Sequence, residues 1–500
     1  MYDLIIKNGN MLDGTGAEGK VCDIAIKNGK IAHIGKTDCD AKTVIDAKGL
    51  TVTPGFIDSH SHSDSAIVSF PDMTEKIEQG ITTSISGQCG SSVAPSITSE
   101  GAIKTFGDFI KENRDAELGS NNAIFVGHKS IRIAVMGMSK EEPTKEELEQ
   151  MKELVRDAMK NGAMGISFGL IYPPSCYAKT EELLELARVV KEYDGLVAAH
   201  IRNEGDRLIE AVEEFIYIVK NSGVRGIVSH HKACGAPENH GKVVKTLKMI
   251  DDANRDGADV YFDVYPYTAT HTSASVTFVP DSGSDLLKRL KNEEERQKIK
   301  EWHASKWWKD DYSWVQVARC AGYPEYEGKF VPEIAKIHGK DGCETIMDMI
   351  LKSENACSCC YFTMAEEDVE RVMAHPRAMI CTDSGVACGR TTFHPRLKGS
   401  FPRVLGRYVR EKNVVSLPEM IRKMTSMPAF VYGLKTKGLI KEGMDADICI
   451  FDDKRIIDRS DFTDCVKRAE GLEYVISGGE VVVRNAEHNG VRKAKIILRG

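Results

Sequence analysis

Apolar and polar positions alternate through the first fifty residues. DLIIKNG and DIAIKNGKIAHIG place apolar side chains at every second position around Asn-Gly pairs, the pattern of β-hairpins closed by tight turns. The last sixty residues repeat it in DADICIFD, EYVISGGEVVVRN and AKIILRG, divided by glycine-rich turns. Strands from opposite chain ends can pair, so residues 1–53 and 438–500 are expected to form a small β-sandwich into which residues 54–437 are inserted. That middle has another rhythm. Eight short apolar runs, GFIDSHSH, GITTSISGQCG, NAIFVGH, GAMGISFGLIY, GLVAAHIRNEG, RGIVSHHK, DVYFDVYPY and RAMICTDSG, each end in polar residues and each precede a helical stretch. PTKEELEQMKELVRDAMKNG is such a helix, with Thr144 as N-cap, Glu147 completing a capping box and Gly162 at its end; TEELLELARVVKEYDG has the same design. Eight β–α repeats with buried strands predict an α/β fold, a (β/α)8 TIM-type barrel.

About a hundred residues separate the seventh run from the eighth, far more than a βα connection needs. All four tryptophans, Trp302, Trp307, Trp308 and Trp314, lie there. We expect an inserted subdomain at about 280–375, either covering the barrel mouth or packing as a helical decoration on its own core. The two readings are compatible.

Composition narrows the class. With 42% hydrophobic and 28% charged residues, the chain reads as globular, and a formal net charge of −7 leaves no basic footprint for nucleic acid. No apolar run reaches the roughly 18 residues that span a bilayer. The start, MYDLIIKNGNMLDG, reads as a strand and not as an export signal, so a cytoplasmic location is expected. The 14 cysteines then read as reduced thiols or metal ligands; for the Cys357, Cys359, Cys360 cluster, which has no matching second cluster, we favour plain thiols.

The strand ends of such a barrel converge on one mouth. Here they carry His60 and His62, Cys89 between glycines, His200, His230 and Asp383. Taken singly, each has a bland reading: a surface or core histidine, a small buried thiol, a helix-capping aspartate. Together they provide for two metal sites, one Cys-His-His and one His-His-Asp, and this mixture of N, S and O ligands favours zinc. On strand alternation His230 points inward and His231 outward.

The chain resembles the amidohydrolase superfamily, and within it the N-acyl-D-amino-acid deacylases (D-aminoacylases). The resemblance runs through PGFIDSHSHSD, GQCGSSVAP, GLIYPP, AHIRNEG, SHHK, DVYPY, HPRLKGSFPRVLG, MTSMPA and GLIKEGMDADICIFD. It implies a tight zinc on Cys89, His200 and His230, a weaker site on His60, His62 and Asp383, and substrate-carboxylate contacts from Tyr172, Lys232, Tyr265 and Arg396, with Tyr267 competing with Tyr265 for its role. GVACGRTTFHPR is longer than the family's usual stretch and adds Arg390. The implied reaction is hydrolysis of an N-acyl-D-amino acid, a small-molecule substrate, to a carboxylate and a free D-amino acid. Asp383 acts as the base, and a strand-end histidine such as His128 is a candidate to help stabilise the oxyanion. Rival readings are a cyclic-amide hydrolase of the dihydroorotase or hydantoinase type, a D-residue dipeptidase and a non-catalytic scaffold. No nucleic-acid or membrane partner is expected; the oligomeric state, the acyl group and the side-chain preference stay open.

Overall fold

Eight short parallel strands succeed one another in the computed structural model, which describes residues 1–386 and 394–500. They are β1 (Phe56–Asp58), β2 (Ile81–Ser86), β3 (Asn121–Ile124 continued by Val126–Gly127), β4 (Gly165–Gly169), β5 (Leu196–His200), β6 (Arg225–Val228), β7 (Val260–Val264) and β8 (Ala378–Ile380). Each pairs in parallel with the next, from Asp58↔Ser84 between β1 and β2 to Val264↔Ile380 between β7 and β8. Beyond β8 the chain returns to the first strand: Asp383 N donates to His60 O (2.9 Å) and His62 N to Ser384 O (3.0 Å). Nearly every residue of these strands is buried, which explains why they read as continuous apolar or small-residue runs with little alternation.

The helices between them obey local rules. Lys145–Lys160 begins with both halves of the capping box, Glu147 N on Thr144 Oγ1 (3.2 Å) and Thr144 N on Glu147 Oε2 (2.8 Å). Thr180–Glu192 does not repeat that cap: Thr180 is its first helical residue and donates its hydroxyl to Glu214 Oε1 (2.8 Å), an acid already drawn in by Arg202.

Both termini contribute to one nine-stranded sheet. Thr51–Pro54 lies antiparallel to Ile448–Phe451, joining the two ends of the chain, and Ile6, Ile24, Ile26, Val52, Ile448 and Ile450 share one apolar cluster on it. The Asn28-Gly29 pair takes left-handed backbone, as a tight hairpin turn requires. The last strand departs from expectation. Ile496–Ile497 pairs with the first half of β3 instead of the terminal sheet, because β3 breaks at Phe125, its second half pairing with β4 and its first half needing a neighbour.

The insertion carries an antiparallel sheet of Thr270–Ser273, Cys357–Tyr361 and Val315–Cys320, in that spatial order, over a separate core that includes Phe278, Ile299, Ile334 and Ile346. Its first strand starts ten residues earlier than the sequence suggested, since the short polar THTS segment has no apolar rhythm of its own. No described helix is long and apolar enough to cross a membrane.

Candidate metal centre and substrate cavity

Six side chains at the strand ends meet around Cys89. Its Sγ lies 3.4 Å from His60 Nε2, 3.8 Å from His200 Nδ1 and 3.3 Å from His230 Nε2. Asp383 Oδ1 is 3.3 Å from His62 Nε2 and 3.6 Å from His60 Nε2. Ligand atoms of Cys89, His200 and His230, and of His60, His62, Cys89 and Asp383, fall into two groups, each within 4.8 Å; Cys89 belongs to both.

Backbone geometry makes this convergence possible. Cys89, His230 and Asp383 have φ of 51°, 37° and 48°, a left-handed conformation that non-glycine residues seldom adopt and that clusters at functional sites. The glycines beside Cys89 are required. A Cβ on Gly87 would sit 2.1 Å from Phe125 O, and one on Gly90 would sit 2.8 Å from Gly169 N.

The donor set fits zinc. The Cys89–imidazole separations are close to the roughly 3.5 Å expected between thiolate and imidazole ligands of a tetrahedral zinc. The far nitrogens fit too. His60 Nδ1 and His200 Nε2 are buried without a hydrogen bond, and each faces an acid, Asp263 at 3.9 Å and Glu204 at 3.7 Å. His230 Nδ1 lies 3.0 Å from Glu204. Acids behind the imidazoles are what orient metal-binding histidines. Burial drives His60 well below the usual histidine range and His200 down to about 3, so both stay neutral and keep a lone pair for a metal. Burial pushes the free Cys89 thiol up; a bound cation would reverse that preference.

The carboxylates divide by environment. Burial alone would raise Asp383, but Arg396 and the neighbouring imidazoles outweigh it and hold the carboxyl well below the usual range. Glu204 is likewise held low against its burial, by Lys232 and then His200 and His230. Asp263 has no such cation, and burial raises it to about 7. Asp58 lies behind the site, bound to the buried Lys76 amine (3.0 Å), which also reaches Thr382 Oγ1 and Ser384 O, both at 2.7 Å.

A cavity of about 910 Å³ opens onto this cluster. Tyr172, Lys232, Tyr265 and Arg396 all line it. Tyr265 carries Arg396 over its ring at 5.0 Å and Lys232 at 5.4 Å, whereas Tyr267 turns away to Arg403 and Asp458. Both cations are engaged, Lys232 with Glu204 (2.6 Å) and Arg396 with Asp383 Oδ2 (2.7 Å). His231 points outward to Thr246 (2.8 Å). His128 is unsuited to the oxyanion role: it is buried outside the cavity, with both ring nitrogens bound, to Ser175 (2.9 Å) and Glu182 (2.8 Å). Cys357 and Cys359 lie in the insertion's core. Arg390 lies outside the described residues. Trp302, Trp307, Trp308 and Trp314 line the outer cavity, and Trp308 and Trp314 also pack on the insertion's core. Glu204, Asp263 and Lys76 were missed. Glu204, four residues after His200, had a legible spacing; the other two had none.

The Amidohydrolase family model matches residues 43–483. A D-aminoacylase of Alcaligenes xylosoxydans xylosoxydans is 33% identical over 512 residues, covering 100% of this chain and 98% of that protein. An N-acyl-D-glutamate deacylase of the same organism is 33% identical, covering 97% and 94%. Among solved structures, N-acyl-D-glutamate deacylase from Bordetella bronchiseptica, complexed with zinc and a phosphonate that mimics the tetrahedral intermediate, matches with a TM-score of 0.86 at 31% identity over 100% of both chains. The chain belongs to the amidohydrolase family, in its N-acyl-D-amino-acid deacylase group, and has the mixed α/β fold of those enzymes.

Proposed function

We propose that this protein hydrolyses the amide bond of N-acyl-D-amino acids, releasing a carboxylate and a free D-amino acid. The observation that carries the reading is the convergence of Cys89, four histidines and Asp383 at the floor of one cavity that also holds Lys232, Tyr265 and Arg396. Cys89, His200 and His230 would hold a tight zinc, and His60, His62 and Asp383, with Cys89 shared, a second and weaker one. The D preference rests on the named relatives.

Such an ion supplies Lewis acidity, making water easier to deprotonate and an amide carbonyl more electrophilic. The chain's own residues do the rest. Arg396 fixes Asp383 through Oδ2 and leaves Oδ1 turned to the histidines. Oδ1 takes the proton of the attacking water and returns it to the amide nitrogen as the C–N bond breaks. The unused donors of Arg396 and Lys232, with the hydroxyls of Tyr172 and Tyr265, receive the substrate's α-carboxylate.

The wider reading follows. The eight parallel strands make a (β/α)8 barrel over residues 54–437, supported by the hydrogen bonds returning from β8 to the first strand; residues 1–53 and those from 438 to the end of the terminal sheet make the small β domain. A cytoplasmic location is supported by cysteines that stand as free thiols among the described residues, Cys22, Cys39, Cys176 and Cys234 among them.

The test is hydrolysis of paired N-acetyl-D- and N-acetyl-L-amino acids with metal content measured on the same sample. Turnover confined to the D series upholds the reading. Zinc-loaded protein inert on both hands, but active on cyclic imides, overturns it.

A further inference from the structure

The cavity's outer wall contains a cation that the reaction does not use. Arg319 lies on the insertion strand Val315–Cys320. Val315 and Val317 point into the insertion's apolar core, and strict alternation would send Arg319 after them. It does not follow. Opposite Cys357–Tyr361 the register runs Val317↔Cys359 and then Arg319↔Ser358, so Ala318 is an extra, bulged residue. The bulge puts Arg319 on the other face of the sheet, beside Ser358, whose hydroxyl meets His271 Nε2 at 3.1 Å. Arg319 and His271 both line the cavity. Bulges near active sites commonly re-aim one side chain, and this one moves a guanidinium from core to cavity.

The other cations of the cavity are engaged. Arg396 is held by Asp383, Lys232 by Glu204, and Lys306 lies over the Trp302 ring at 4.3 Å. Arg319 is half-buried and has no hydrogen-bond or ion-pair partner among the described residues. A guanidinium presents five donors in a planar fork, and its best complement is a carboxylate. Arg319 is two strands from Thr270–Ser273, the strand whose Thr272 meets Tyr172 (3.2 Å), and two strand spacings are roughly 10 Å. A ligand whose α-carboxylate lies between Lys232 and Arg396 must carry a second anion to reach it.

We propose that Arg319 binds a second carboxylate of the substrate, so that the preferred substrates are dianionic N-acyl-amino acids. This deepens the deacylase reading and rests on it. The second carboxylate has two possible sources, an acidic side chain on the D-amino acid or a dicarboxylic acyl group.

The test compares kcat/KM for N-acetyl-D-glutamate, N-succinyl-D-leucine and N-acetyl-D-leucine in the zinc-loaded wild type, Arg319→Met and Arg319→Lys. The wild type should favour one of the two dianions over N-acetyl-D-leucine; which one identifies the source. In Arg319→Met that ratio should fall by at least about 30-fold, as when one partner of a buried charge pair is removed, with partial recovery in Arg319→Lys. A ratio unchanged by Arg319→Met, or no preference for either dianion in the wild type, overturns the proposal. If no N-acyl compound is hydrolysed, the deacylase reading fails. Binding of N-acetyl-D-glutamate, N-succinyl-D-leucine and N-acetyl-D-leucine, followed by the fluorescence of the neighbouring tryptophans, then decides the subsite. Tighter binding of either dianion, lost in Arg319→Met, upholds it, and equal affinities for all three refute it.

Discussion

The Arg396 guanidinium holds Oδ2 of Asp383 at 2.7 Å, so one carboxylate carries two tasks on two atoms: Oδ2 anchors it and Oδ1 faces His60 and His62. Asp383→Ala should lower kcat by at least about 100-fold, the lower bound usual for a positioned proton-transfer group, while the zinc on Cys89, His200 and His230 is retained. Steady-state kinetics with metal analysis of the variant check this; near-normal kcat would remove Asp383 from proton transfer.

Behind that pair, Lys76 is fully buried and ties Asp58 on β1 to Thr382 and Ser384 on either side of Asp383. Lys76→Met leaves the Asp58 carboxylate buried without its cation and should cost about 3–5 kcal/mol. Combining it with Asp58→Leu should restore part of the loss, because the unpaired charge is then gone. Urea unfolding of both variants measures this, and a double variant no more stable than Lys76→Met would contradict the charge explanation.

His271 is half-buried beside Arg396 and pushed down to about 3, by loss of solvent first and by the guanidinium second. Its ordinary value is about 6.5. Between those values the unfolded chain binds the proton and the folded protein does not, so stability falls as pH drops from 6.5 towards 3. His271→Gln should flatten that dependence by up to about 1.4 kcal/mol per pH unit. Urea midpoints at pH 6.5, 5.5 and 4.5 test it; parallel curves would mean that His271 does not titrate on unfolding.

Much of this site was legible because its residues sit where strand and chemistry coincide. His60 and His62 follow a buried run at alternate positions, and the glycines around Cys89 marked a close backbone approach that the structure places at Phe125 and Gly169. Pattern was weaker where tertiary partners decide. Thr180 looked like a cap but is claimed by Glu214. Ile496–Ile497 reads as one more terminal strand, yet it fills the free edge left by the break in β3. Arg319 was invisible as a cavity residue because a one-residue bulge reverses every later side chain, and no local feature of VQVARC announces it. The choice between Tyr265 and Tyr267 likewise needed the positions of Arg396 and Asp458.

The most direct measurement is a zinc titration of metal-free protein, following hydrolysis of an N-acyl-D-amino acid. A parallel cobalt titration reports thiolate ligation by absorbance. The account predicts no turnover without metal, activity rising with the first equivalent, and a thiolate–cobalt band that Cys89→Ser abolishes together with tight zinc binding. Full activity in the metal-free protein, or full zinc retention and an unchanged band in Cys89→Ser, would contradict it.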